Sequence, residues 1–468
     1  MRTKNVTGPT LRPASTSSPS ETAASKALPP ERKNEVVPQR SKDGFEPAST
    51  RARPAASQLT GATQAQASSI RPATGTTTGP LNPKDIKPAD WTCFVHLNAD
   101  NNLEEFGKDD LNEMEGVGSL EGKMNVIALV DGGTMKEADG WKQAPRLMYV
   151  TKDPSNSSKI VSREIAIDPK SDLGKLIAAG KGEIDSGSPQ VLRAAMDYVQ
   201  RNVESKHFMV DLWDHGNGWK GVSYDDHPSS SLDMNDLKQA LAGLPKKVDL
   251  ISADACLMAT VEVADTAKAI GADFLVGSEE VEPGTGWNYT DLLSRASKLF
   301  EGTKSVSAEQ MAKAIQDSYA AGPSDNVTMS VTNLSKLDGL NVKLNAFSDA
   351  LLKAGGLQDK TLRAAYESTL RFEDADQMDL GDFAKRVSNG TKDASLKAAA
   401  DQLLAALAQT TVEKGAKGSG GGRYTSATGL TIYGPRGAVD GEYKKAGLSW
   451  LGSRWNDLIA TYNKARVS

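Results

Sequence analysis

The hydrophobic residues of this 468-residue chain form short runs separated by amphipathic stretches from about residue 89 onward. Such runs are typical of buried strands, and the stretches between them of helices that cover a sheet. We predict strands at residues 91–98, 125–130, 207–215, 248–256 and 272–278, a hairpin at 146–150 and 160–167, and helices at 103–114, 190–203, 234–241 and from about 257. This alternation predicts an α/β fold, a mostly parallel sheet flanked by helices.

The later part of the chain has a different pattern. Residues 288–468 are mostly helical, with two further apolar runs at 327–331 and 429–433. We therefore expect a core at residues 89–287 and a helical carboxyl-terminal part at 288–468 that contributes late strands to that core. The Gly-rich segment at 415–422 predicts a flexible loop, because it lacks the Gly-Lys-Ser/Thr ending of a phosphate-binding loop.

Residues 1–88 carry neither pattern. They are rich in Ser, Thr, Ala, Pro and Gln, and such a segment cannot bury enough apolar surface to offset chain entropy, so we predict a disordered tail. The tail has 13 Lys and Arg against 6 Asp and Glu, whereas the whole chain has a net charge of −5. The folded part is therefore acidic.

Charge and hydropathy limit the partners and the compartment. An acidic body without a basic stripe argues against nucleic acid as a partner. No apolar run is long enough to span a membrane. The amino terminus also lacks the apolar centre of a secretory leader, which makes a cytoplasmic location the default expectation, with export by another route left open.

Two predicted strands end in residues that carry chemistry. One strand leads to His215 and another to Cys256, and ligands of open α/β sheets bind beyond such strand ends. A thiol beside an imidazole forms a nucleophile with its own acid and base. The N–H groups of Gly216 and Cys256 would stabilise an oxyanion there. The other cysteine, Cys93, lies within an apolar strand and is interpreted as core.

Asp254 precedes the cysteine by two residues and therefore shares its face of the strand. A carboxylate beside the nucleophile predicts a pocket for Arg or Lys. An equally common use of Asp is to cap the following helix, and the residue pattern leaves these two roles open.

The chain resembles the clostripain family of cysteine peptidases, which are relatives of caspases, gingipains, legumains and separases. The resemblance rests on an opening strand with an Asp-Asn-x-Leu turn, a histidine motif, a cysteine motif, an acidic Pro-Gly-x-Gly-Trp loop and a late strand. These stretches lie at residues 91–104, 214–219, 254–258, 279–287 and 429–433.

The resemblance implies a caspase-like fold and an endopeptidase that cleaves proteins or peptides after Arg or Lys. It implies Cys256 and His215 as the catalytic pair and Asp254 as the residue that selects the basic side chain. Further negative charge in that pocket is expected from the acidic loop, at Glu279, Glu280 or Glu282.

The chain departs from the family pattern in one loop. Family members often mature by cutting themselves between the two motifs, yet residues 222–235 contain no Lys or Arg, although Lys220 and Lys238 flank them. Processing at that place is therefore doubtful, and the predicted tail offers other basic sites at Arg40, Arg51, Arg53 and Arg71.

No metal site is assigned, and no cofactor is predicted. Some relatives need calcium, and Asp225 and Asp226 form an acidic pair, but such a pair in a surface loop is usually only solvated.

Two rival functions use the same residues. One is a catalytically silent relative that binds peptides in the groove, against which the intact Cys256, His215 and Gly216 argue. The other is an acyltransferase or amidase that applies the same pair to a non-peptide substrate.

Overall fold

The structure is a computed structural model that describes residues 79–303, 305–322, 327–417, 424–449 and 453–464. Residues 1–78 of the predicted tail, with its four basic sites, and residues 418–422 of the Gly-rich loop lie outside the described residues. The last ten residues of the predicted tail are part of the fold. Leu81 forms a bridge to Ile165, and Leu81 and Ile86 are buried, so the folded chain begins ahead of Ala89.

The strands follow the predicted runs closely in the first half of the chain. Their bounds are β1 Ala89–Ala99, β2 Met124–Gly132, β3 Arg146–Tyr149, β4 Arg163–Glu164, β5 Ser205–Trp213, β6 Val222–Asp225, β7 Ser230–Leu232, β8 Leu250–Asp254, β9 Phe274–Gly277, β10 Val327–Asn333, β11 Gln377–Asp379, β12 Thr411–Lys417 and β13 Thr431–Tyr433.

Nine of these strands form one sheet in the order β12-β10-β9-β8-β5-β1-β2-β3-β4. The five central strands, β9 to β2 in that order, run parallel, and antiparallel strands extend both edges. Both faces of a parallel sheet are apolar, so both must be covered by other elements. The predicted fold class, a mostly parallel α/β sheet flanked by helices, is confirmed. The strands β10 and β12 come from the carboxyl-terminal part.

Helices cover both faces of this sheet. Their bounds are α1 Glu104–Glu115, α2 Asp172–Gly180, α3 Pro189–Asn202, α4 Met234–Leu241, α5 Val261–Ile270, α6 Tyr289–Leu299, α7 Ala308–Ala321, α8 Leu337–Lys353, α9 Lys360–Ser368, α10 Leu380–Gly390, α11 Ala394–Thr410 and α12 Arg454–Lys464. Within the described part of the chain, no helix is both long and apolar enough to cross a membrane.

Alternate residues of the central strands supply the two hydrophobic cores. In β1, Phe94 packs with residues of α3, α4 and α5, whereas Cys93 and Val95 pack with residues of α1, α6 and α7 on the other face. This is the two-residue period of a strand buried on both sides. Cys93 is 4% exposed, as its interpretation as a core residue predicts.

The register of two parallel strands brings the candidate residues together. Trp213 at the end of β5 pairs with Asp254 at the end of β8. His215 and Cys256 each follow two residues later, so they leave the sheet side by side at its carboxyl edge.

Two elements differ from their prediction. The helix after Cys256 begins at Val261, because Leu257 has φ 65°, which a helix cannot contain, and Thr260 caps the helix by accepting from the Val263 N–H at 3.0 Å. The late apolar run forms β13, which pairs with β11 in a separate two-stranded sheet.

Candidate active site

The loops after β5 and β8 touch through their main chains. A β-carbon built on Gly216 would lie 2.5 Å from the Cys256 carbonyl oxygen and 3.2 Å from the Cys256 nitrogen. Contacts below 3.0 Å are essentially never made by real β-carbons, so only glycine fits between these loops. The missing side chain lets His215 and Cys256 lie on adjoining backbone.

Asn102 holds the imidazole ring of His215. Its Oδ1 lies 2.8 Å from His215 Nε2, and because an amide oxygen only accepts, the ring donates from Nε2 and keeps Nδ1 as its acceptor. Burial lowers the pKa of His215, although Asp226 opposes this. The ring is therefore a neutral base near pH 7.

The Cys256 thiol is half-buried and accepts a hydrogen bond from the Glu282 N–H at 3.2 Å. Burial raises its pKa to about 12, and the negative charges of Glu282, Asp254 and Glu280 add to this rise. Among the described residues, no hydrogen bond joins Cys256 Sγ to the His215 ring. The site therefore pairs a neutral thiol with a neutral imidazole near pH 7.

Two main-chain donors remain next to the thiol. In the described part of the chain, the N–H groups of Gly216 and Cys256 donate to no acceptor. Both residues are only partly buried, so these N–H groups are open to an approaching substrate oxygen. They are suited to accept the negative charge of a tetrahedral intermediate.

Asp254 is 4% exposed and accepts from the Trp287 N–H at 3.0 Å. Burial raises its pKa well above the usual range, and the charge of Asp211 raises it further. Asp254 does not cap α5, since Thr260 does. The helix-capping alternative left open by the sequence is therefore excluded for this residue.

The three glutamates of the acidic loop have different surroundings. Glu279 accepts from the Gly429 N–H at 3.0 Å and faces Asp379. Glu280 accepts from the Glu373 N–H at 3.0 Å and from the Tyr424 hydroxyl. Burial raises the pKa of Glu282, and the charge of Asp254 raises it further. Glu282 therefore lies close to Asp254.

One other group of carboxylates has the spacing of a cation site. Asp100, Glu183 and Asp225 each present an oxygen within 4.8 Å of the others, and such oxygen donors suit Ca²⁺. His227 Nδ1 lies 3.0 Å from Asp100, and this hydrogen bond raises the pKa of His227. The expectation of no cofactor, with calcium unassigned, stays a prediction.

Sequence reasoning missed the residues that approach the site from other elements. Asn102 follows β1, whereas Asp110 lies in α1 with its carboxylate beside Asp254. Asp110 had one signal in the sequence, because it occupies the buried face of α1 with Gly107, Leu111 and Met114. A carboxylate in that position needs a reason.

Comparison with solved structures shows the same fold. The chain matches a secreted C11 cysteine protease from Bacteroides thetaiotaomicron, with a TM-score of 0.55 and 19% identity over 78% of this chain and 99% of that one. It also matches an inactive zymogen C11 protease from Parabacteroides distasonis, with a TM-score of 0.54 and 20% identity over 80% and 99%.

These structures also correct the predicted compartment. The cytoplasmic location expected from the amino-terminal pattern is wrong, because the structural relative from Bacteroides thetaiotaomicron is described as a secreted protein.

Sequence comparison gives the family. The chain is 29% identical over 226 residues to clostripain from Hathewaya histolytica, a match that covers 44% of this chain and 41% of that protein. The sequence profile of the clostripain family matches residues 95–438, well over half of the chain, and includes both motifs. The predicted family and its enzyme class are confirmed: the chain belongs to the clostripain family of cysteine peptidases.

Proposed function

We propose that this protein is a cysteine endopeptidase that cleaves peptide bonds after Arg or Lys, with Cys256 as nucleophile and His215 as its base. The observation that carries the proposal is the close main-chain contact of Gly216 with Cys256. A β-carbon built on Gly216 would lie only 2.5 Å from the Cys256 carbonyl oxygen. This contact joins the two strand ends in the arrangement that thiol catalysis requires. Membership of a peptidase family supports the same reaction class.

The first half of the proposed reaction forms an acyl-enzyme. His215 Nδ1 takes the thiol proton while Cys256 Sγ attacks the carbonyl carbon of the scissile bond. The carbonyl oxygen becomes an oxyanion and accepts from the N–H groups of Gly216 and Cys256. The intermediate collapses, the C–N bond breaks, and His215 gives the proton to the leaving amine.

The second half releases the product. His215 takes a proton from a water molecule, whose oxygen attacks the thioester carbon. The C–S bond breaks, and the thiol regains its proton from His215. The Asn102 Oδ1, 2.8 Å from Nε2, keeps the ring in the tautomer that both halves use.

Asp254 is the proposed determinant of specificity. It lies two residues before the nucleophile, at the end of β8, and it is buried without a basic partner among the described residues. A buried carboxylate is stabilised most by a cation that also donates hydrogen bonds to it. The side chains of Arg and Lys are such cations.

A degenerate peptide library tests the proposal. The purified chain is incubated with the library, and the cleavage sites are read by mass spectrometry, with cuts after Arg and Lys expected. Cys256→Ala should abolish cleavage, whereas Cys93→Ala, which changes a buried thiol away from the site, should leave the rate within a few-fold. Cleavage that persists in Cys256→Ala would overturn the mechanism, and an intact library would favour a silent peptide-binding relative.

A further inference from the structure

Two carboxylates from different elements converge on Gly286. A β-carbon built there would lie 2.8 Å from Asp254 Oδ2 and 3.1 Å from Asp110 Oδ2. Gly286 also has φ +55°, which disfavours other residues. Its missing side chain therefore lets the carboxylates of Asp254, at the end of β8, and of Asp110, on the buried face of α1, lie close to each other.

Both carboxyl groups are buried without a cation. Asp254 and Asp110 are 4% and 2% exposed. Their hydrogen-bond donors are neutral: the Trp287 N–H lies 3.0 Å from Asp254, and the Trp213 indole N–H lies 2.7 Å from Asp110. Within the described residues, no Lys, Arg or His forms an ion pair with either carboxylate. Buried carboxylates are normally paired with a cation or a metal.

Glu282 supplies a separate observation that points to a ligand. Its Oε2 accepts from the Tyr319 hydroxyl, the Trp287 indole acts on the same carboxylate, and its Oε1 makes no hydrogen bond of good geometry among the described residues, while the side chain is 7% exposed. The charge of Asp254 acts on Glu282, which places the two groups close together. A buried acceptor without a donor is costly unless a ligand brings one.

We propose that Asp110 is a second specificity-determining residue, which together with Asp254 binds the guanidinium of the substrate and makes Arg preferred over Lys. This inference rests on the proposed function of the site. A guanidinium carries five N–H donors in a planar fork and can serve two carboxylates at once. The Lys ammonium is a compact point charge without a planar fork, so it cannot bind both carboxylates as a guanidinium can.

A purely structural role for Asp110 makes a different prediction. Asp110 accepts from Trp213, so it would then only hold that indole ring in place. Asn also offers an acceptor oxygen, and Asp110→Asn therefore keeps this hydrogen bond while it removes the charge. Asp109, the exposed neighbour on the same helix, provides the matched control Asp109→Asn.

The first experiment compares specificity constants for matched peptides that end in Arg, Lys or Gln at the cleavage site. Asp110→Asn should lower kcat/KM for Arg by about ten-fold or more, mainly through KM, and reduce the preference for Arg over Lys. Cleavage after Gln should change little, and Asp109→Asn should resemble the wild type. If the ratio of kcat/KM for the Arg peptide to that for the Gln peptide is unchanged in Asp110→Asn, the inference is overturned.

The second experiment does not need catalysis. Benzamidinium and neutral benzamide are titrated into Cys256→Ala with and without Asp110→Asn, and the ratio of their Kd values is compared. Because both ligands are measured on one preparation, the ratio is independent of the folded fraction. We expect the preference for benzamidinium to fall about ten-fold. An unchanged ratio refutes the role of Asp110, whereas peptides left uncut by the wild type refute the proposed function alone.

Discussion

At the scale of single residues, the surroundings of Cys256 predict how the thiol responds to pH. Burial raises its pKa to about 12, and burial lowers the pKa of His215, so both groups are neutral near pH 7. Because the folded pKa of the thiol lies above its ordinary value, the thiolate fraction keeps growing as the pH rises through the alkaline range.

We therefore expect alkylation of Cys256 by iodoacetamide in the substrate-free protein to be slow at neutral pH and to accelerate up to at least about pH 10. Mass spectrometry of the labelled peptides measures the rate, and the buried Cys93 serves as the internal reference. A rate that is already constant from pH 7 upward would mean that a thiolate and imidazolium pair exists before substrate binds.

The sequence predicts the site residues that lie in local motifs. It does not predict those that reach the site from other elements through tertiary packing. His215, Gly216, Asp254 and Cys256 lie within three residues of a strand end, the position at which ligands of open α/β sheets bind. Asn102 approaches the ring from 113 residues away in the chain. No spacing rule connects such positions, because the sheet and α1 must first assemble.

At the scale of elements, the segment between the two motifs predicts that the enzyme works as an uncut chain. The hairpin of β6 and β7 contains no Lys or Arg. Lys220 ends a short 3-10 helix, with its Nζ 2.7 Å from Asp374 Oδ2, and Lys238 lies inside α4 and donates to the Gly447 carbonyl. A peptidase binds its substrate as an extended strand, and neither segment offers one.

The intact mass of the active protein should accordingly contain an unbroken stretch from residue 215 to residue 256. Lys238→Gln, which removes one flanking basic residue, should leave both mass and activity unchanged. A cut after Lys220 or Lys238 that appears together with activity would contradict this.

The strands were predicted better than the start of α5. Apolar runs at 91–98 and 207–215 are buried on both faces, and hydrophobicity alone locates them. The sequence pattern predicts a helix from about residue 257, yet the turn after the nucleophile takes up residues 257–260. The capping residue Thr260 was the better signal.

At the scale of the whole molecule, the first described residues define where the chain can be shortened. Removing residues 1–78 should leave the thermal transition unchanged, since that composition lacks an apolar pattern. Removing residues 1–88 should lower the Tm, because it takes away the buried side chains of Leu81 and Ile86. Calorimetry on both truncated proteins checks this, and equal Tm values would deny Leu81 and Ile86 a stabilising role.

The three glutamate side chains of the acidic loop bind residues from the second half of the chain. Tyr319 binds Glu282, Tyr424 and the Glu373 N–H bind Glu280, and Gly429 binds Glu279. Every residue of the proposed chemistry precedes residue 288, yet the loop whose N–H touches the thiol is held in part by residues beyond it. A fragment that ends at residue 287 would consequently contain the reactive groups but lack residues that hold the acidic loop in position. Substitutions far along the chain from Cys256 can therefore change selectivity.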